Sequence, residues 1–244
     1  VSDLPTNLTC PTHVRAIDFR HVLVLVDYRT GRVQCLLPAA AAQWTRAART
    51  GTSDGMTPAL LQRLLHTGML TPTSTATPWP TPADAAPTAR RSAGTEYLAG
   101  ASRPPRAPLR ASAAAATALA AVFALKHAGD AALAMQRVTT ALMAAAVTGE
   151  HAATGEQIHA AVLAVRRVGW FSPGRTACLE ESAAATLLLA SRRLSATWCH
   201  GVAPDPVRLH AWVQTADGDP VAEPPTTRAY TPVLTIGGTH HHQP

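Results

Sequence analysis

Cys178 and His210 are the two residues in this chain whose types and spacing could form a covalent acyl-enzyme. Cys178 lies in GRTACLEESAAATLLLASRR and His210 in RLHAWVQT, one helix, one strand and a turn apart. A thiol nucleophile needs conditions that favour the thiolate, a nearby imidazole, and a group that orients that imidazole. Pro173-Gly174 reads as a turn. Cys178 then falls in the first turn of a helix expected over 177–193, where free N–H groups and the positive dipole end favour a thiolate. The same N–H groups could hold a developing oxyanion. His210 sits in an alternating segment with Leu209, Ala211 and Val213 on one face and His210, Trp212 and Gln214 on the other. Three acids follow it: Asp217 and Asp219 in a DG turn, and Glu223 in DPVAE, expected to be a short returning strand. Glu223 is the best placed of the three, because a neighbouring strand can hold it beside the imidazole. Spacing alone leaves Cys178 open between a core thiol and a nucleophile.

Other chemistries lack their residues. Cys10, Cys35, Cys178 and Cys199 lie far apart with no CxxC pair, which argues against a zinc ribbon and a disulfide framework. No HExxH, Walker loop or GxSxG is present, so neither a metal nor a nucleotide cofactor is expected. Cys199 and His200 are adjacent in a strand, point to opposite faces, and cannot form a dyad together. Three of the 11 histidines are consecutive at 240–242, in a tail (237–244) expected to be disordered.

The elements that must position these residues follow from composition and punctuation. The 244 residues are 47% apolar but only 5% aromatic, the signature of an Ala-rich, helix-favouring core. A net charge of +6 would suggest an acidic partner, but Lys126 is the only lysine among 21 basic residues and the arginines are dispersed. The most apolar run, 111–125, is mostly alanine and too short to span a bilayer. With no evident signal peptide and unpaired thiols, the expectation is a cytoplasmic protein without membrane association.

Residues 71–108 are rich in Pro, Thr, Ala, Ser and Arg, including TPWPTP and SRPPRAP, and read as a flexible linker. Before it, residues 9–70 read as strands at 14–17, 22–26 and 33–37 around the YRTGR turn. A helix opened by Pro38 and ended near Gly51 follows, then a second with Thr57 as cap, Pro58 at its first position, and Leu60, Leu61, Leu64 and Leu65 on one face. This β-β-β-α-α module offers no convergent acid/base set and reads as a binding module resembling a winged helix. No helix in 38–70 clusters basic and amide side chains for base edges, so nucleic acid is not the expected partner. After the linker, residues 109–236 read as four helices (111–126, 131–147, 156–168, 177–193) and then an antiparallel sheet opened by LSATWCHGV, an α+β pattern.

The CLEESAA helix, the GV at 201–202, HAWV at 210–213 and the following DGDPV resemble, in order, the transglutaminase-like leader peptidase of lasso-peptide biosynthesis. The resemblance covers about 165–225. It implies a cysteine peptidase with Cys178 as nucleophile, His210 as base and an acid on the next strand. That acid is usually aspartate and here matches Glu223. LVLVDYRTGRVQCLLPAAAAQW, within 13–70, resembles the PqqD-like precursor recognition element of the same family. The resemblance implies that this module takes the leader of a ribosomal precursor peptide as an added strand along Val33, Gln34, Cys35, Leu36 and Leu37, and that the pathway's lasso cyclase is a partner. A true transglutaminase is the competing reading of the same thiol site.

Overall fold

The computed structural model describes residues 4–84, 109–172 and 176–238. The chain divides into two compact units, 1–87 and 88–244. Among the described residues no helix is long and apolar enough to cross a membrane.

The first unit is built on one short, fully buried strand. β1 is Leu8–Thr9, β2 Val14–Asp18, β3 Leu23–Asp27 and β4 Val33–Leu36. All five residues of β3, LVLVD, are buried, as expected of a Val/Leu run covered on both faces. The β3–β4 turn is built by Asp27, which takes the Arg29 N–H (2.8 Å) and the Thr30 hydroxyl (2.6 Å), with Gly31 at φ 75° where a side chain would be strained. Helix α1 (Pro38–Thr50) buries Ala41, Trp44, Ala47 and Ala48, and α2 (Pro58–His66) buries Leu61 and Leu64. Thr57 does not cap α2 through its side chain; its N–H instead donates to Gln43 Oε1 at 2.8 Å.

The expected linker begins later than its composition suggests. Thr71–Pro72 (β5) pairs with β1, and Ala83–Asp84 (β6) adds a parallel strand beside β2. The sheet order is therefore β4-β3-β2-β6, four strands where three antiparallel ones are expected. Trp79 explains why a Pro/Thr-rich stretch folds back. Its indole is buried edge-on against Trp44 (6.1 Å between ring centres), and its backbone N–H donates to the Ala48 carbonyl at 2.9 Å. A Cβ at Gly51 would stand 2.4 Å from the Thr77 backbone nitrogen, so only glycine lets the returning chain lie against the end of α1. One buried tryptophan outweighs the local preference for an extended coil. The remainder of the expected linker, 85–108, lies outside the described residues.

In the second unit, α3 (Leu109–His127) is followed by a 3-10 turn (Ala131–Leu133) that Asp130 caps by accepting the Ala132 N–H at 2.8 Å. α4 (Ala134–Ala146) comes next, then β7 (His151–Ala152) and α5 (Gly155–Gly169), opened by a reciprocal Thr154–Gln157 capping box. α6 (Cys178–Ala190) packs against α3, α4 and α5 as well as the sheet. Its small residues Ala183, Ala184 and Ala185 are fully buried, which is how one helix accommodates so many neighbours. LSATWCHGV divides at Ala196. β8 (Leu194–Ser195) pairs in parallel with β7, and β9 (Thr197–Pro204) is the central strand of the sheet β10-β9-β11. β10 is Val207–Gln214 and β11 Thr231–Ile236.

Two expectations change in this unit. DPVAE is not a strand: it keeps one bridge, Gln214 to Pro220, and the Val221 N–H donating to Val213. The third strand is β11, which pairs with β9 on the far side from β10. The tail also begins later than 237. Gly237 and Gly238, at φ 81° and 86°, press against Ala196 and Thr197, while 239–244 lies outside the described residues.

Trp79→Ala in the full chain should destabilise the first unit by about 3 kcal/mol, the usual cost of emptying a buried tryptophan site. Hydrogen exchange should show the β3 amides losing protection and the α6 amides unchanged. A free linker at 71–84 predicts no change in either.

Candidate active site

Cys178 is the first residue of α6, after Ala177 in an extended conformation. The N–H groups of Cys178 and Leu179 lie in the first turn, where no intrahelical acceptor exists. Two glutamates follow at once, and their charge would oppose a thiolate if left bare. Each is matched to a cation. Glu180, buried, accepts the Ala177 N–H at 3.0 Å and pairs with Lys126, the only lysine. Glu181 accepts the Thr176 hydroxyl at 2.8 Å and lies 3.3 Å from Arg166 Nε.

His210 is on β10, opposite Gly201 of β9. A Cβ at Gly201 would stand 2.7 Å from the Thr231 carbonyl and 2.8 Å from the Trp212 ring, so glycine here lets the indole lie close to the sheet. Trp212 stacks on the imidazole (5.9 Å, 16° between planes), and Tyr230 approaches it at 5.2 Å. The two rings keep water from much of the imidazole.

Glu223 stands in the loop before the 3-10 helix Pro225–Ala229, yet it reaches the imidazole. His210 Nε2–H donates to Glu223 Oε2 at 2.7 Å, and the Thr227 hydroxyl donates to the same oxygen at 3.2 Å. With Nε2 engaged, Nδ1 is the nitrogen left for the Cys178 side chain, which lies near enough to the imidazole to help raise its pKa. The second carboxylate oxygen, Oε1, takes Arg166 Nη2 at 2.5 Å, and Arg166 Nη1 donates to the Ala222 carbonyl. The structure therefore brings Cys178, His210 and Glu223 together. Asp217 and Asp219 stay apart from them: Asp219 is an exposed surface residue 3.6 Å from Arg228.

Burial lowers the His210 pKa, but the hydrogen bonds and charges of Cys178 and Glu223 outweigh it and raise the value to about 9. The imidazole is thus a cation through neutral pH. His200 is the converse: burial, then the His210 charge, lowers it to about 4. Cys199 is fully buried and pushed up to about 12, the behaviour of an inert core thiol. Among the described residues no cluster of His, Cys, Asp or Glu suits a metal ion.

The family described as the transglutaminase-like superfamily matches residues 122–235. This segment is similar to that superfamily. No match to the chain is found among curated proteins or among solved structures. The matched segment holds the whole constellation, and the superfamily includes cysteine peptidases and acyltransferases. Sequence reasoning missed Arg166, Thr227 and Tyr230. Arg166 and Thr227 act on Glu223 through contacts between segments far apart in the chain, and Tyr230 meets His210 across strands. Locally, Arg166 is one of two adjacent arginines in the last turn of an amphipathic helix, and nothing there singles it out.

The His210 pKa fixes a pH dependence. A histidine raised from 6.5 to about 9 adds stability that is complete below about pH 6.5 and is lost as pH rises through about 9. The melting-temperature gap between the native chain and His210→Gln should therefore be wide at pH 6 and narrow by pH 10. A gap that widens with pH would contradict the ion pair.

Proposed function

We propose that this chain is the leader peptidase of lasso-peptide maturation: it binds the leader of a ribosomal precursor and hydrolyses the leader–core peptide bond. The observation that carries the reading is the His210 ring held between Glu223 and the Cys178 side chain at a helix N-terminus. The transglutaminase-like match and the ordered CLEESAA, GV and HAWV motifs support it.

In this reading the Cys178 thiolate attacks the scissile carbonyl carbon. The carbonyl electron pair moves onto oxygen, facing the N–H groups of Cys178 and Leu179. Collapse expels the core amine, which takes the proton from His210 and leaves a thioester on Cys178. Water then gives a proton to the neutral imidazole and attacks the thioester. The leader carboxylate departs and the thiolate–imidazolium pair returns. Glu223 keeps the ring oriented and its charge compensated throughout.

The first unit would act as the PqqD-like recognition element. Its support is the outer position of β4 in the sheet: Val33, Cys35 and Leu37 are exposed while Gln34 and Leu36 are buried. Leu37 itself, 71% exposed, has left the strand for the start of α1. An extended peptide could add to this edge through main-chain hydrogen bonds. Tethering by the intervening chain would raise the local concentration of substrate at the second unit. The freed core amine is what a lasso cyclase, the expected partner, joins to a side-chain carboxylate. Locating the chain in the cytoplasm belongs to the same reading.

Acyl transfer to an amine would use the same thioester, so product mass is the deciding measurement. Incubation with the precursor should yield two fragments with one added water; a product lighter by ammonia would mean crosslinking. Cys178→Ala should abolish cleavage and leave leader binding unchanged, and retained turnover would overturn the reading. Cys199→Ala should leave the chemical step intact. Glu223→Gln should lower kcat by on the order of 10²–10⁴. Glu223→Asp should also lose most activity, because a loop carboxylate one methylene shorter cannot reach His210 and Arg166 together.

A further inference from the structure

We propose that Arg166 is a positioning residue of this site, locking the loop carboxylate of Glu223 onto His210 and tying that loop to the helix that carries Cys178. The inference rests on Cys178 and His210 acting as proposed, and extends that reading to a residue outside the triad.

The loop that brings Glu223 to the imidazole is not held by a strand ladder. Its main-chain anchors at this end are the Val221 N–H on Val213 and the bridge at Pro220. Ala222, the residue before the acid, has φ 57°, a left-handed conformation that costs a non-glycine residue energy. Arg166 supplies what the ladder does not. Nη1 donates to the carbonyl of that strained Ala222, Nη2 to Glu223 Oε1 at 2.5 Å, and Nε to Glu181 Oε2 at 3.3 Å. Oε2 of Glu223 is then left for His210 and Thr227. Glu181 lies three residues beyond Cys178 in α6 and is fixed from its other side by Thr176. One planar guanidinium thus connects the acid, its backbone and the nucleophile's helix. Lysine, a single point charge, cannot reproduce this geometry.

Arg166 also balances charge. Glu223 is 4% exposed and Glu181 18% exposed, and a carboxylate withdrawn from water without a cation is costly. Near Glu223, Arg166 and the His210 imidazolium supply two positive charges, and Lys126 neutralises Glu180 separately.

The test uses iodoacetamide as the probe, so it needs no peptide substrate. The alkylation rate of Cys178 in the full chain is read by peptide mass from pH 5 to 10, with N-acetylcysteine as the reference thiol. Compared are the native chain, Arg166→Met, Arg166→Lys, Glu223→Gln and the double variant Arg166→Met/Glu223→Gln. Arg166→Met should lower the rate at pH 6 by on the order of tenfold, and its pH profile should coincide with that of Glu223→Gln. The double variant should be no slower than Glu223→Gln alone, because Arg166 acts through that carboxylate. Arg166→Lys should fail to restore the native profile, and it carries the same test if Arg166→Met does not fold. A native profile in a folded Arg166 variant overturns the proposal alone. So does a double variant slower by the product of the two single effects. A native Cys178 no more reactive at pH 6 than N-acetylcysteine overturns the catalytic reading and this proposal together.

Discussion

The site depends on keeping one carboxylate charged where water hardly reaches. Glu223 is 4% exposed, and an ion stripped of water to that degree is tolerated only with its partners in place. It has three: the imidazole, the Thr227 hydroxyl and the guanidinium of Arg166, which also donates to the preceding carbonyl. The raised pKa of His210 is the visible consequence. Desolvation alone would work against the ring's proton, as it does, together with the His210 charge, for His200, the neighbour of the Gly201 that opposes His210. The difference between the two histidines lies in the charges beside them, not in their depth.

The same economy shapes the nucleophile's helix. α6 is surrounded by helices and sheet, so most of its residues are small or apolar, and its polar ones each have a partner. Glu180 meets Lys126, Glu181 meets Arg166, and the Ser182 hydroxyl accepts the Trp198 indole N–H at 2.9 Å. Cys178 can therefore stand at the helix N-terminus with the dipole's positive end unopposed by the two glutamates beside it. An alanine-rich core makes this possible, since small side chains let the charged ends of α3 and α5 come close.

The first unit solves a different problem with different residues. Its core is a single buried strand covered by two short helices, and for so small a unit one more tryptophan matters. Trp79 returns to the core from a stretch whose prolines and threonines otherwise favour open coil. Its β6 extension covers one side of the sheet and leaves β4 as the other edge. An edge strand presents unpaired backbone groups, which is a hazard unless a binding partner uses them.

Local sequence was enough to determine most elements, because each obeys a local rule. Pro38, Pro58 and Gly51 bound helices, the Asp27–Gly31 turn joins two strands, and alternation in RLHAWVQ marks β10. Cys178 and His210 were legible for the same reason: one is placed by a helix start, the other by a strand. Glu223 was legible as a candidate, but on the wrong element, since DPVAE touches the edge of β10 only at Pro220 and Val221 and then turns away. Tertiary structure decided three things: that β11 and not 219–223 completes the sheet, that Trp79 belongs to the core, and that Arg166 reaches across 57 positions of chain to hold the acid. These are contacts between distant segments. Their energy comes from burial and charge compensation in the folded state, and neither quantity exists for a residue until its neighbours are in place.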